Sequence, residues 1–190
     1  MFKNQQGNSI IEIMVVIIIL TTGIIGTYGI LNGGQKLSTT SENRIKAINI
    51  AREGMEAVEN IRDTNWIKFS SDYDNCWKVK DYNVTCIGNI TPTLSGSNVL
   101  VQSGTLWTLS GAAQFPVYLD NNGLTTSSWN IIGCGSSRTS DCKTIFTREI
   151  QISYPYADHM KVNSIANWTD STWPHTINLE TILTNWKKKF

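Results

Sequence analysis

Hydrophobic and polar positions follow three different rhythms along this chain. Residues 13–35 contain no charged side chain and are dominated by Ile, Leu, Val, Met and Gly. No polar face repeats within that run, so it predicts a helix that is apolar all round. At about 1.5 Å per residue, Ile13 to Leu31 covers about 28 Å, close to the ~30 Å hydrocarbon thickness of a bilayer. After a polar junction at Asn32-Gly33-Gly34, a second rhythm begins at Ser38. Ala47, Ile50, Gly54, Ala57 and Ile61 step by three and four, with Ile48, Ala51, Met55 and Val58 alongside. Lys46, Arg52, Glu53, Glu56, Glu59 and Asp63 take the opposite side. That spacing predicts an amphipathic helix with a broad apolar face. Arg52 and Glu56 stand at the i,i+4 spacing of a weak ion pair. If both runs form one helix, it reaches about 80 Å from Asn8 to Arg62, with Gly33-Gly34 the place for a kink or break.

Beyond Asp63 the period shortens to two. Residues 77–80 and 82–85 alternate as half-buried strands do, and the Ser/Gly/Thr-rich section 91–104 reads as turns with one short strand. Phe115 to Leu119 predicts a strand that Pro116 confines to an edge or an irregular position. Three further candidates follow, at 144–154, 160–168 and 177–186, separated by loops containing Pro155 and residues 170–175. Consecutive strands with short connections favour an antiparallel meander. The fold class is therefore α+β: a long amino-terminal helix, first membrane-spanning and then amphipathic, followed by an antiparallel β domain.

Composition narrows the chemistry. The formal net charge of the 190 residues is +1, which offers no case for nucleic acid as a partner. All seven Trp lie from Trp66 onward, so the large side chains of a core belong to the second part. The four cysteines, Cys76, Cys86, Cys134 and Cys142, also fall there, and an even count beyond an anchor points to disulfides in an oxidising compartment. Of the three connectivities, Cys76–Cys86 with Cys134–Cys142 is preferred because each closes a short loop; free buried thiols are the competing reading. There is no C-x-x-C, and His159 and His175 stand apart, which disfavours zinc. Asp120 to Gly123, and Asp72 with Asp74, resemble calcium loops only superficially, and turns are expected at both. No P-loop, G-x-S-x-G, H-E-x-x-H or Cys–His pair is present, so nothing calls for an enzyme or a cofactor. Lys187 to Lys189 reads as a solvated basic end.

One residue breaks the logic of the apolar run. Glu12 sits at its leading edge, where a carboxylate in hydrocarbon costs on the order of 3 kcal/mol at the helix centre and less near an interface. Upstream stand Lys3 and then Gly7, directly before Asn8-Ser9-Ile10-Ile11-Glu12. This arrangement resembles the cleavage and methylation motif of type IV pilins and pseudopilins: a short hydrophilic leader ending in Gly, five residues ending in Glu, then an unbroken apolar helix. Residues 51–63 also resemble the corresponding stretch of PilV-like minor pilins.

The resemblance implies cleavage between Gly7 and Asn8 by a prepilin peptidase and N-methylation of the new terminus at Asn8. It implies that Glu12 pairs with the terminal ammonium of a neighbouring subunit, neutralising both charges as apolar helices bundle into a filament. Asn8 departs from the family's usual Phe or Met, and the proline common in major-pilin membrane helices is absent. Gly23, Gly26 and Gly29 stand in the run instead, and regular helix is expected to be lost there on packing in a filament. The expected organisation is a leader at 1–7, a membrane and filament-core segment at 8–31, an amphipathic helix at 32–63 packed on the sheet, and an extracytoplasmic β domain at 64–190. Implied partners are other pilin subunits, prepilin peptidase and the pilus assembly platform of the cytoplasmic membrane, before display on a cell-surface filament. The alternatives are an adhesive, DNA- or receptor-binding tip pilin, a plain membrane-anchored extracellular β domain, and a secretory signal peptide, for which the run is too long and lacks an A-x-A-like site.

Overall fold

A computed structural model describes residues 9–79, 82, 84–88, 95–103, 106–111, 115–119, 125–126, 143–170 and 173–186. The chain divides into two units, Met1–Asn43 and Arg44–Phe190. One helix, α1 (Ser9–Lys68), enters both. It is unbroken at Gly33 and Gly34 and through Gly23, Gly26 and Gly29. It also runs past Asp63, because the inward rhythm continues: Asn65 and Trp66 are buried like Ile61, and the Asn65 Nδ2 donates to the Val79 carbonyl at 3.0 Å.

In the second unit the expected stripe is the buried one. Ala47, Ile50, Ala51, Ala57, Val58 and Ile61 lie against a seven-stranded antiparallel sheet, and Ile48 and Met55 flank them half-buried. The sheet is built on β5 (Lys143–Tyr156). One edge of β5 pairs with β6 (His159–Asp170), which pairs with β7 (Trp173–Thr184); the meander is as expected, but its connections are shorter, since Pro155 lies within β5 and Trp173 to His175, expected as loop, already belong to β7. The other edge is shared end to end. Its later half takes β1 (Gly96–Ser103), hairpinned to β2 (Leu106–Gly111); its earlier half takes β3 (Phe115–Leu119), paired with the two-residue β4 (Thr125–Thr126). The register of β3 on β5 shifts between Pro116 and Tyr118, the irregularity a missing N–H forces on a strand.

Of the two stretches expected as strands, the described residues 77–79, 82 and 84–85 lie in no strand. A four-residue helix, α2 (Tyr73–Cys76), is followed by a turn at Trp77 and Lys78, and Val84–Cys86 forms a 3-10 turn. The alternation was misleading because Cys76 and Cys86 are joined by a disulfide and Trp77 is drawn into the core, while Tyr82 reaches the sheet through its side chain, its hydroxyl donating to the Trp107 carbonyl at 2.9 Å. Cys134 and Cys142 lie outside the described residues, as does the stretch Asp120 to Gly123 where a turn is expected.

The core has two apolar clusters. One gathers Ala57, Val58, Ile61, Trp66 and Trp77 with Leu100, Ile150, Ile152, Met160 and Val162; the other gathers Ala47, Ile50 and Ala51 with Val117, Phe146, Ala166 and Trp168. Between them crosses a polar seam. Arg148 stands between Phe146 and Ile150 on β5, Ser164 between Val162 and Ala166 on β6, and Gly54 faces both from α1. Residue 54 has no room for a side chain unless its neighbours shift: an added Cβ would lie 2.7 Å from Ile150 Cδ1, 3.2 Å from Arg148 Cδ, and against the Ser164 hydroxyl.

Candidate functional site

The residues singled out at the amino terminus divide sharply. Gly7 and Asn8 lie outside the described residues. Glu12 occupies the first turn of α1, where the helix's free N–H groups favour an anion, and its side chain is exposed. The apolar side chains that follow are all exposed, from 49% for Val15 to 76% for Ile30. Burying one aliphatic side chain contributes about 1.5–3 kcal/mol, so leaving this run in water forgoes on the order of tens of kcal/mol. A surface of this kind requires hydrocarbon or other apolar helices around it. Of the helices among the described residues, α1 is long and apolar enough to cross a membrane.

The threonine hydroxyls of the run are already satisfied. The hydroxyls of Thr21 and Thr22 donate to carbonyls three and four residues back, at 2.8–3.0 Å, and Thr27 donates to the Ile24 carbonyl at 3.0 Å. With these hydroxyls folded onto the backbone, the threonines present no unmet donor to an apolar surrounding, and the exposed Tyr28 hydroxyl is a polar group left facing outward. A Cβ built on Gly23, Gly26 or Gly29 meets nothing within 4 Å. These glycines, unlike Gly54, answer to no contact within the chain.

Titratable groups elsewhere serve the fold. Arg148 is buried on the seam, its Nη1 donating to Glu53 Oε2 at 2.8 Å and to the Ile50 carbonyl at 3.1 Å. Burial lowers its pKa, opposed by the Glu53 carboxylate. This pair was not anticipated; the available signal was an arginine at an inward position of an alternating strand. Asp72 accepts from Asn75 Nδ2 with both oxygens and from the Gly88 N–H at 2.6 Å, and these bonds hold its pKa below the ordinary value. Asp74 accepts from Asn185 Nδ2. Both carboxylates are thus met by donors rather than turned toward a shared cation position, and no group of three His, Cys, Asp or Glu side chains suited to a metal occurs among the described residues. His159 pairs with Asp158, and His175 stacks on Trp168 near Asp170, at opposite ends of β6 and β7.

Compared with known protein families, with characterised proteins and with solved structures, the chain matches none.

Proposed function

We propose that this protein is a structural subunit of a type IV pilus-like or type II secretion-like filament, a minor pilin or pseudopilin. In this reading the chain is held in the cytoplasmic membrane by α1, its leader is removed after Gly7, and it is then extracted into a helical polymer. The observation that carries the reading is the fully exposed, charge-free run of α1 led by a single carboxylate, Glu12. That run leaves lipid only for an equally apolar setting, and a bundle of identical helices supplies one. Each Glu12 then needs a cation at the same depth, and a neighbour's new terminal ammonium is one. The folded unit from Arg44 onward stays outside the bundle.

The test is Glu12→Ala in the full-length chain. Membrane insertion and leader removal are expected to persist while incorporation into filaments is lost. Intact mass of the membrane-extracted wild-type protein, before and after reduction, reports leader removal, methylation and disulfide count together. A chain that keeps its first seven residues in cells possessing the processing protease would overturn the proposal.

A further inference from the structure

The reading above carries an axial step, and the folded unit offers a second charge contact in the same step. An ammonium at residue 8 beside a neighbour's Glu12 offsets two copies of α1 by about four residues, or about 6 Å. Arg52 and Glu56 are also four residues apart, and both are exposed on the side of α1 opposite the buried Ile50–Gly54–Ile61 face. Within one chain no ion pair joins them, although their i,i+4 spacing would permit it. Arg preceding Glu is the poorer orientation for such a pair, since it runs against the helix dipole.

Other charges nearby are already engaged. Glu53 receives Arg148, and Arg62 pairs with Asp63 at 2.9 Å while lying over the Trp66 ring. Arg52 and Glu56 thus face outward with complementary charge, and neither has an ion pair among the described residues. Glu59, half-buried one turn further on, extends the acidic side of the strip.

We propose, resting on the filament reading, that Arg52 of one copy pairs with Glu56 of the next, with Glu59 within reach of the same guanidinium. Neighbours in a helical array are all displaced by the same rise, so where α1 of the folded unit runs along the filament axis a step of about 6 Å brings Arg52 level with a neighbour's Glu56. The contact is head-to-tail: each copy offers Arg52 to one neighbour and Glu56 to the other, so it propagates instead of closing a dimer. Being exposed, it sets register and partner choice more than strength, and it weakens with salt.

The test uses full-length chains in the membranes of cells making filaments. Chains carrying Arg52→Cys are co-produced with chains carrying Glu56→Cys, and a second culture pairs Val16→Cys with Leu20→Cys in the apolar run at the same offset. After oxidation with a membrane-permeant copper catalyst, covalent dimers are read on non-reducing gels against the wild type. The expected result is a 16–20 dimer together with a 52–56 dimer severalfold above 52–52 and 56–56 products from single-variant cultures. A 16–20 dimer with no 52–56 dimer, or with 52–56 no greater than the self-pairs, overturns this inference and leaves the filament reading standing. Loss of both dimers overturns the filament reading and this inference with it.

Discussion

Gly54→Ala should destabilise the folded unit, even though alanine is the better helix former by about 1 kcal/mol. The new Cβ would sit 2.7 Å from Ile150 Cδ1, where carbon atoms ordinarily rest about 3.5–4.0 Å apart, so an overlap of about 1 Å must be relieved. One route lifts α1 off the sheet. A gap of that size forfeits a quarter to a half of each dispersion contact along Ala47, Ile50, Ala51, Ala57 and Val58, which is far more than the helix gains. The cheaper route turns Ile150 off its rotamer, at about 0.5–1.5 kcal/mol, and displaces both the Ser164 hydroxyl and the Arg148 stem. Overpacking of this kind costs about 1–3 kcal/mol. Net of the propensity gain, the loss should be up to about 2 kcal/mol. Urea unfolding of the detergent-solubilised chain, followed by the fluorescence of buried Trp66 and Trp77, would show the midpoint falling by up to about 1 M for a typical m-value. The buried Ser164 Oγ has no hydrogen-bond partner among the described residues, so Gly54→Ala with Ser164→Ala should recover part of the loss. A midpoint equal to or above wild type for Gly54→Ala alone would refute the claim that residue 54 sets the helix–sheet spacing.

Further outcomes follow from the same structure. Arg148→Ala strands Glu53 beside an empty pocket and should cost about 3–5 kcal/mol, whereas Arg148→Met with Glu53→Leu should regain most of it in the same unfolding assay. Cys76→Ser with Cys86→Ser opens a loop of separation 10 and should lower stability by about 2–3 kcal/mol on chain entropy; an unchanged midpoint would mean the unfolded chain gains no freedom there. The lowered pKa of Asp72 predicts a stabilisation that is complete above its ordinary value of 3.8 and lost as pH falls through the folded value. Asp72→Asn should remove that part of the acid sensitivity, which a pH series of unfolding midpoints would detect. Glu12→Ala, tested on assembly, should leave these midpoints untouched, because Glu12 lies outside the folded unit.

Much of the architecture was legible because it depends on periodicity. The apolar run, the buried stripe of Ala47, Ile50, Gly54, Ala57 and Ile61, and the meander at β5 to β7 all follow from which neighbours share a face at a period of 3.6 or 2. The hairpin of β1 and β2 was only partly visible, as one short strand expected among turns where eight residues pair. Its buried apolar residues, Val99, Leu100 and Leu109, are few, and its order comes from pairing with β5 across a long separation. The alternation at 77–85 pointed the wrong way because a covalent link and one buried tryptophan outweigh a local pattern.

The candidate assembly element belongs to the chain's one-dimensional order. A charge-free stretch, an acid at its head and glycines with nothing beside them are properties of consecutive residues, and folding left them exposed. The seam of Gly54, Arg148, Glu53 and Ser164 was decided only in three dimensions. Its members lie on three elements up to 111 positions apart in number (164 less 53), and only the approach of α1 to β5 and β6 makes one of them too large and another in need of a counter-charge. Periodicity reports which side of an element is buried; what waits on the other side is set by the pairing of distant strands.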